Sequence, residues 1–226
     1  MVGLGVLAVA PGLICLFYMY VRDKYEKEPW RLLVVGVVFG AVLTFPIMQG
    51  EGFMMRFMPA VGQLGEAVYI SFAVAALVEE GFKFVVLYFL TWRNNNLNER
   101  LDGIVYAVFI SLGFAAVENV LYVFNPQMGG METALMRAVV SVPSHGFFGI
   151  TMGYYFALGK FEPQKRGRHL LKAFFVTYML HGLYDVILLS GHAYAFVAFV
   201  PFLLVFWRNG LRKIKAHLEA SPFKAI

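Results

Sequence analysis

Charge is scarce in this chain of 226 residues: Asp, Glu, Lys and Arg make up 15% of it, while 60% is hydrophobic and 17% aromatic. So little charge with so much apolar surface excludes an ordinary soluble domain. Cysteine is almost absent. The single Cys15 lies in an apolar run, which excludes an intramolecular disulfide. There is no alternating strand pattern long enough for a soluble domain, no internal repeat of useful period and no low-complexity tract. Any chemistry must therefore reside in the apolar segments themselves.

A membrane-crossing helix needs about 20 mainly apolar residues. Seven such runs are present, roughly 1–21, 32–50, 67–92, 104–124, 138–158, 171–190 and 193–207, the last being the shortest. The expectation is an all-α membrane protein, one domain over 1–226, built as a polytopic bundle of about seven transmembrane helices. The first run, "MVGLGVLAVAPGLICLFYMYV", lacks a positively charged leader and a small-residue cleavage site, so it reads as a retained span.

The net charge of +5 does not indicate a nucleic-acid partner, because the basic residues lie between the runs and in the tail. Alternate connections and the tail carry 16 of the 19 Lys and Arg, and the opposite connections hold only Arg56 and Arg137. By the positive-inside rule the N-terminus is expected outside and the C-terminus in the cytoplasm. The basic tail "RNGLRKIKAHLEASPFKAI" suits contact with anionic membrane lipid and equally well a solvated tail.

Within this apolar background, "ALVEEGFKF" places Glu79, Glu80 and Lys83 in a run that holds no other charge from Ala67 to Trp92. Each charge at a span centre opposes insertion by about 2.5 to 3.5 kcal/mol, so the three must have partners. On a helix Lys83 follows Glu79 by four and Glu80 by three, and can neutralise either. One carboxylate then still lacks a counterpart. Other runs offer candidates: Glu118 in "SLGFAAVENVLY", His145 in "SVPSHGFFG", and His181 with Asp185 in "HGLYD", where a carboxylate four residues on can orient the imidazole. With a rise of 1.5 Å per residue, all fall between the middle and the outer half of the membrane. A helix-packing role would explain any one of them; a common depth points to a shared polar site.

At these residues the sequence resembles the PrsW family of intramembrane proteases and, more distantly, the CAAX-type prenyl endopeptidases. The family's patterns EExxK, FxxxE and HxxxD stand here as Glu79-Glu80-Lys83, Phe114-Glu118 and His181-Asp185. The likeness extends to "RDKYEKEPW", "LDGIVY" and "SHGFFG". Lys83 and Glu118 depart from the CAAX-type pattern, so that group's ligands are not carried over. The resemblance implies an enzyme of the bacterial plasma membrane that makes the first cleavage of a single-pass membrane anti-sigma factor, close to its external juxtamembrane end.

Such hydrolysis needs a water, a base and groups that stabilise an oxyanion. Glu79 or Glu80 is the expected base, with Lys83 as its partner. The resemblance implies a zinc ion, for which His145, His181 and Glu118 are the expected ligands. A metal-free route stays open, in which the glutamate acts directly and His181 with Asp185 or Asn119 stabilises the oxyanion. The rival reading is a proton- or cation-coupled transporter using the same buried groups. Asp102 reads as a helix N-cap; His169, His192 and His217 read as solvated. The Met/Phe-rich connection from Gly50 to Ala67 reads as an interfacial segment beside the bundle.

Overall fold

A computed structural model of the chain describes residues 2–191 and 193–225. Among these residues there is no strand. The α-helices are α1 (Val2–Arg22), α2 (Trp30–Met55), α3 (Gly62–Tyr69), α4 (Leu77–Thr91), α5 (Arg100–Val123), α6 (Met131–Met136), α7 (Val142–Phe161), α8 (Arg166–Leu189) and α9 (Ala193–Glu219). Wide π-helical turns, Ile70–Ala76 and Arg137–Ser141, join α3 to α4 and α6 to α7 without a break. Seven long rods result, as the hydropathy pattern predicts.

Four of the helices are long and apolar enough by themselves to cross a membrane: Gly3–Arg22, Trp30–Met55, Arg100–Val123 and Pro163–Leu189. The others are interrupted by π turns or carry more charge. The rods after α1 outrun the apolar segments that announce them, because helical hydrogen bonding continues into polar sequence once a turn is established. The last rod runs furthest, to Glu219, and a second difference is at residues 50–67. In place of a long interfacial connection, α2 continues to Met55 and α3 begins at Gly62.

α5 forms the axis of the bundle, packed by α7, α2 and α1, and it is buried along most of its length. Close approach here depends on missing side chains. A Cβ on Gly40 of α2 would lie 2.0 Å from the Ile110 carbonyl oxygen, and one on Gly153 of α7 would lie 2.2 Å from that of Gly103. Small residues at crossings are the usual route to tight packing between membrane helices, where dispersion replaces the hydrophobic drive. This sets the rotation of α2 and α7 about α5, and therefore where Glu118 and His145 point.

Three readings of polar residues are corrected at the other end of the bundle. Glu99, not Asp102, is the N-cap of α5; Asp102 sits at the third helical position and accepts the backbone N–H groups of Asn98 (2.8 Å) and Glu99 (2.6 Å). His217 is buried rather than solvated, stacked on Tyr154 and bonded through Nδ1 to the Arg100 carbonyl at 2.9 Å. Burial holds its pKa down at about 4, so the neutral ring donates that bond. His169 is also buried, 3.2 Å from Glu162. Both histidines fill gaps between packed rods. His192 lies outside the described residues.

Candidate active site

The polar residues of five rods converge on one cavity of about 470 Å³. Glu79, Glu118, His145, His181 and Asp185 all line it, so the common depth inferred from separate segments corresponds to one site. Glu80 and Lys83 stand behind its wall, with relative exposures of 0% and 1%. The two adjacent glutamates therefore have different environments.

Lys83 is the hub. Its ammonium donates to Glu79 Oε2 at 2.8 Å and to Glu80 Oε1 at 2.9 Å, and lies 3.5 Å from His145 Nδ1, at the outer limit of hydrogen bonding. All three of its donors are thus directed at partners. The same nitrogen sits 4.2 Å over the ring of Phe114. That contact gives the Phe of the Phe114-Glu118 pair a physical role, since its ring face attracts the buried cation. Burying Lys83 is tolerable only because every face of the ammonium is met.

From this hub the network runs in two directions. Toward α5, His145 Nε2 lies 3.0 Å from Glu118 Oε2, which also accepts a 2.6 Å bond from the Arg137 guanidinium. Ser111 of α5 holds the His145 carbonyl at 2.7 Å, tying α7 to the axis at the same level. Toward α8, His181 Nδ1 is 2.9 Å from Glu80 Oε1 and its Nε2 is 3.2 Å from Asp185 Oδ2. The His181 ring is stacked on Phe148 at 4.6 Å. The expected orientation of the imidazole by a carboxylate four residues on is present.

Both rods that carry a π turn place it just before a site residue, Ile70–Ala76 ahead of Glu79 and Arg137–Ser141 ahead of His145. A π turn inserts extra residues into a helix and so rotates the helical turns beyond it, and such insertions are frequent at functional sites. Arg137 itself begins the second one.

A match of the family model for PrsW family intramembrane metalloproteases covers residues 28–207. Proteins named Protease PrsW are similar along nearly the whole length. The one from Clostridioides difficile is 36% identical over 218 residues, 95% of this chain and 91% of that protein. That of Geobacillus kaustophilus is 39% identical over 207 residues, covering 92% and 88%, and that of Bacillus subtilis 35% over 210 residues, covering 92% of each. The chain belongs to the PrsW family of intramembrane proteases. No solved structure matches it. Membership in a peptidase family leaves the transporter reading without support.

Since the PrsW family is described as metalloproteases, the site can be tested for its fitness to hold an ion. One ligand atom from each of Glu79, Glu80 and His181 lies within 4.8 Å of the others, and Glu80 Oε2 is buried with no hydrogen-bond partner. A proton on His181 Nε2, facing Asp185, leaves the Nδ1 lone pair aimed at Glu80. That juxtaposition calls for a proton or a metal between them. Charge agrees: among the described residues Glu51, Glu79, Glu80, Glu118 and Asp185 face two fixed cations, Lys83 and Arg137, leaving room for a divalent ion. The donors fit. In the expected set His145, His181 and Glu118, two members, His145 and Glu118, are engaged with each other, Lys83 and Arg137.

Two cavity residues of this PrsW-family site escape sequence reasoning. Arg137 enters the sequence reading only as a topological charge, although its isolation in "ALMRAVVSVPSH" was a usable signal. Glu51, in "IMQGEGFMM", looks like part of a connection but lies on α2 and lines the cavity. Asn119 does not line the cavity. Its amide donates to the Ala8 carbonyl at 2.7 Å and its oxygen accepts from Arg137 at 2.9 Å, so it anchors Arg137 and α1.

Proposed function

We propose that this chain makes the first cleavage of a single-pass membrane anti-sigma factor, near the external juxtamembrane end of that substrate, from a multi-pass position in the bacterial plasma membrane. The observation that carries the reading is the unequal placement of the paired glutamates: Glu79 lines the cavity, while Glu80 behind it holds His181 and Lys83. The Lys/Arg distribution supports an outward-facing site, where a substrate helix would unwind locally to expose a peptide bond otherwise shielded by its own hydrogen bonds.

Glu79 is the general base. Lys83 holds its Oε2, leaving Oε1 for a water in the cavity. As the water oxygen bonds to the scissile carbonyl carbon, its proton passes to Glu79; as the C–N bond breaks, Glu79 returns that proton to the departing nitrogen. Arg137 is the cavity-lining cation placed to stabilise the oxyanion. Glu118 and Asn119 aim it, and Asp185 aims His181. Glu80 and His181 would hold the family's metal, and a carboxylate and an imidazole are donor types that suit zinc. When bound, such an ion would supply a Lewis acid that lowers the pKa of a water.

The test is cleavage of single-pass anti-sigma candidates by the purified chain in proteoliposomes, with metal content measured alongside. Glu80→Gln and His181→Ala are expected to lose both cleavage and metal; Glu79→Gln is expected to lose cleavage and to keep more of the metal. Undiminished cleavage in all three would sink the assignment.

A further inference from the structure

A second group of buried acids lies at the opposite end of α5. Asp102 and Glu118 are 16 residues apart on one helix, a separation of about 24 Å at 1.5 Å per residue, so this group is independent of the peptidase cavity. Its members are Glu26 and Glu28 from the connection between α1 and α2, and Asp102 from the first turn of α5. One carboxylate oxygen from each lies within 4.8 Å of the others. Glu28 is 2% exposed and Asp102 0%.

The pattern of bonds within the group is unequal. Each of the two buried acids has one oxygen held by protein donors: Glu28 Oε2 accepts the Tyr106 hydroxyl, and Asp102 Oδ2 accepts the N–H groups of Asn98 and Glu99. The remaining oxygens, Glu28 Oε1 and Asp102 Oδ1, are buried with no N–H or O–H donor from another residue, the two carboxyls being close enough to share a single proton, and Glu26 Oε2 likewise has no donor. Lys27, the nearest lysine in sequence, spends its ammonium on the carbonyls of Tyr20 (2.8 Å) and Asp23 (2.9 Å). Among the described residues none of the three acids takes part in an ion pair. The N-terminus of α5 offers roughly half a positive charge against three carboxylates.

Buried acceptors left unpaired are costly, and unpaired buried charges more so. Here the bonded oxygens fix the side chains in place while the free ones are left for something else. We propose that Glu26, Glu28 and Asp102 form a binding site for a hard divalent cation, of the Mg²⁺, Ca²⁺ or Mn²⁺ class, that fastens the α1–α2 connection to the start of α5. The donor set is all oxygen, which selects hard ions over zinc or copper. Tyr106 and the two backbone N–H groups orient the ligands.

The test uses the full chain in detergent, stripped with chelator and titrated with Mn²⁺, bound ion being read by electron paramagnetic resonance. Introduced into a His181→Ala background, where binding at the peptidase cavity is removed, Glu28→Gln and Asp102→Asn are each expected to weaken the remaining Mn²⁺ binding at least tenfold. Terbium(III) provides a second reading on the unmutated chain, because an ion at Glu28 sits beside the Tyr106 ring, whose excitation should sensitise its luminescence; Mg²⁺ or Ca²⁺ in excess should quench the signal by competition. Should the acid variants fail to fold, this reading decides alone. Mn²⁺ affinity equal in the His181→Ala chain and in both acid variants of it overturns the proposal. So does an absence of tyrosine-sensitised terbium emission together with an infrared band for a protonated carboxyl that Glu28→Gln removes, since a shared proton would then occupy the place of the ion.

Discussion

The two ends of α5 hold acidic residues in opposite circumstances. Around Glu118 and the Glu79–Glu80 pair, nearly every carboxylate meets a cation or an imidazole, with Lys83 and Arg137 as fixed charges and His145 and His181 between them. Around Glu28 and Asp102 the described residues supply no such cation, only neutral donors. Burial pushes the Glu28 carboxyl up to about 9, with the nearby Asp102 charge adding to it. The contrast shows that burial alone does not tell a working site from a structural one. What distinguishes them is whether the compensating charge belongs to the protein, and whether a cavity adjoins the group. The first site has both.

The sharpest way to break the contrast is to remove the cation that defines the first site. Lys83→Met should leave Glu79 and Glu80 buried without a partner, destabilising the chain by about 3 to 5 kcal/mol and abolishing cleavage; thermal unfolding in detergent and proteoliposome cleavage read the two effects. A smaller intervention separates the glutamates. Glu79→Gln should lower the cleavage rate by about 10²- to 10⁴-fold, as expected for loss of a general base, with little change in melting temperature. Glu80→Gln should lower both, because Glu80 is fully enclosed and holds His181.

Arg137→Gln tests the cavity-lining cation. A loss of about 10²- to 10³-fold in kcat is expected for one oxyanion donor, with KM nearly unchanged; a change confined to KM would assign Arg137 to substrate binding instead. The smallest effect belongs to the far end of the bundle and needs no mutation. His217 has a folded pKa of about 4 against an ordinary 6.5. Between those values the unfolded chain takes up a proton that the folded chain refuses. Its contribution to stability is complete above pH 6.5 and is lost as pH falls toward 4. His217→Gln should flatten this part of the stability profile, measured by unfolding across that range.

Much of the site was legible in the chain. Glu79, Glu80 and Lys83 stood out because three charges in an apolar run require partners, and Glu118, His145, His181 and Asp185 were the candidates at matching depth; all of them meet in the structure. Arg137 was passed over as a cavity residue, since a charge near the end of a rod reads as a marker of topology until its neighbour is known. Asp102 was misjudged by three positions. A capping residue and one in the first turn look alike in sequence, and only the backbone path of "LNERLDG" separates them.

Composition and periodicity by themselves determined that the chain folds as membrane helices, because apolar runs of that length can satisfy their backbone in lipid in no other way open to short segments. The spacing of Glu79, Glu80 and Lys83 determined that one ammonium serves two carboxylates, since a helix places them on one face. Which glutamate reaches the cavity, which imidazole nitrogen faces Glu80, and where the free oxygens of Glu28 and Asp102 come together were decided by tertiary structure. These depend on the rotation of each rod about its own axis. That rotation is set by close approaches such as Gly40 on Ile110 and by the π turns before Glu79 and His145, and it is a property of packed pairs of helices rather than of any one segment.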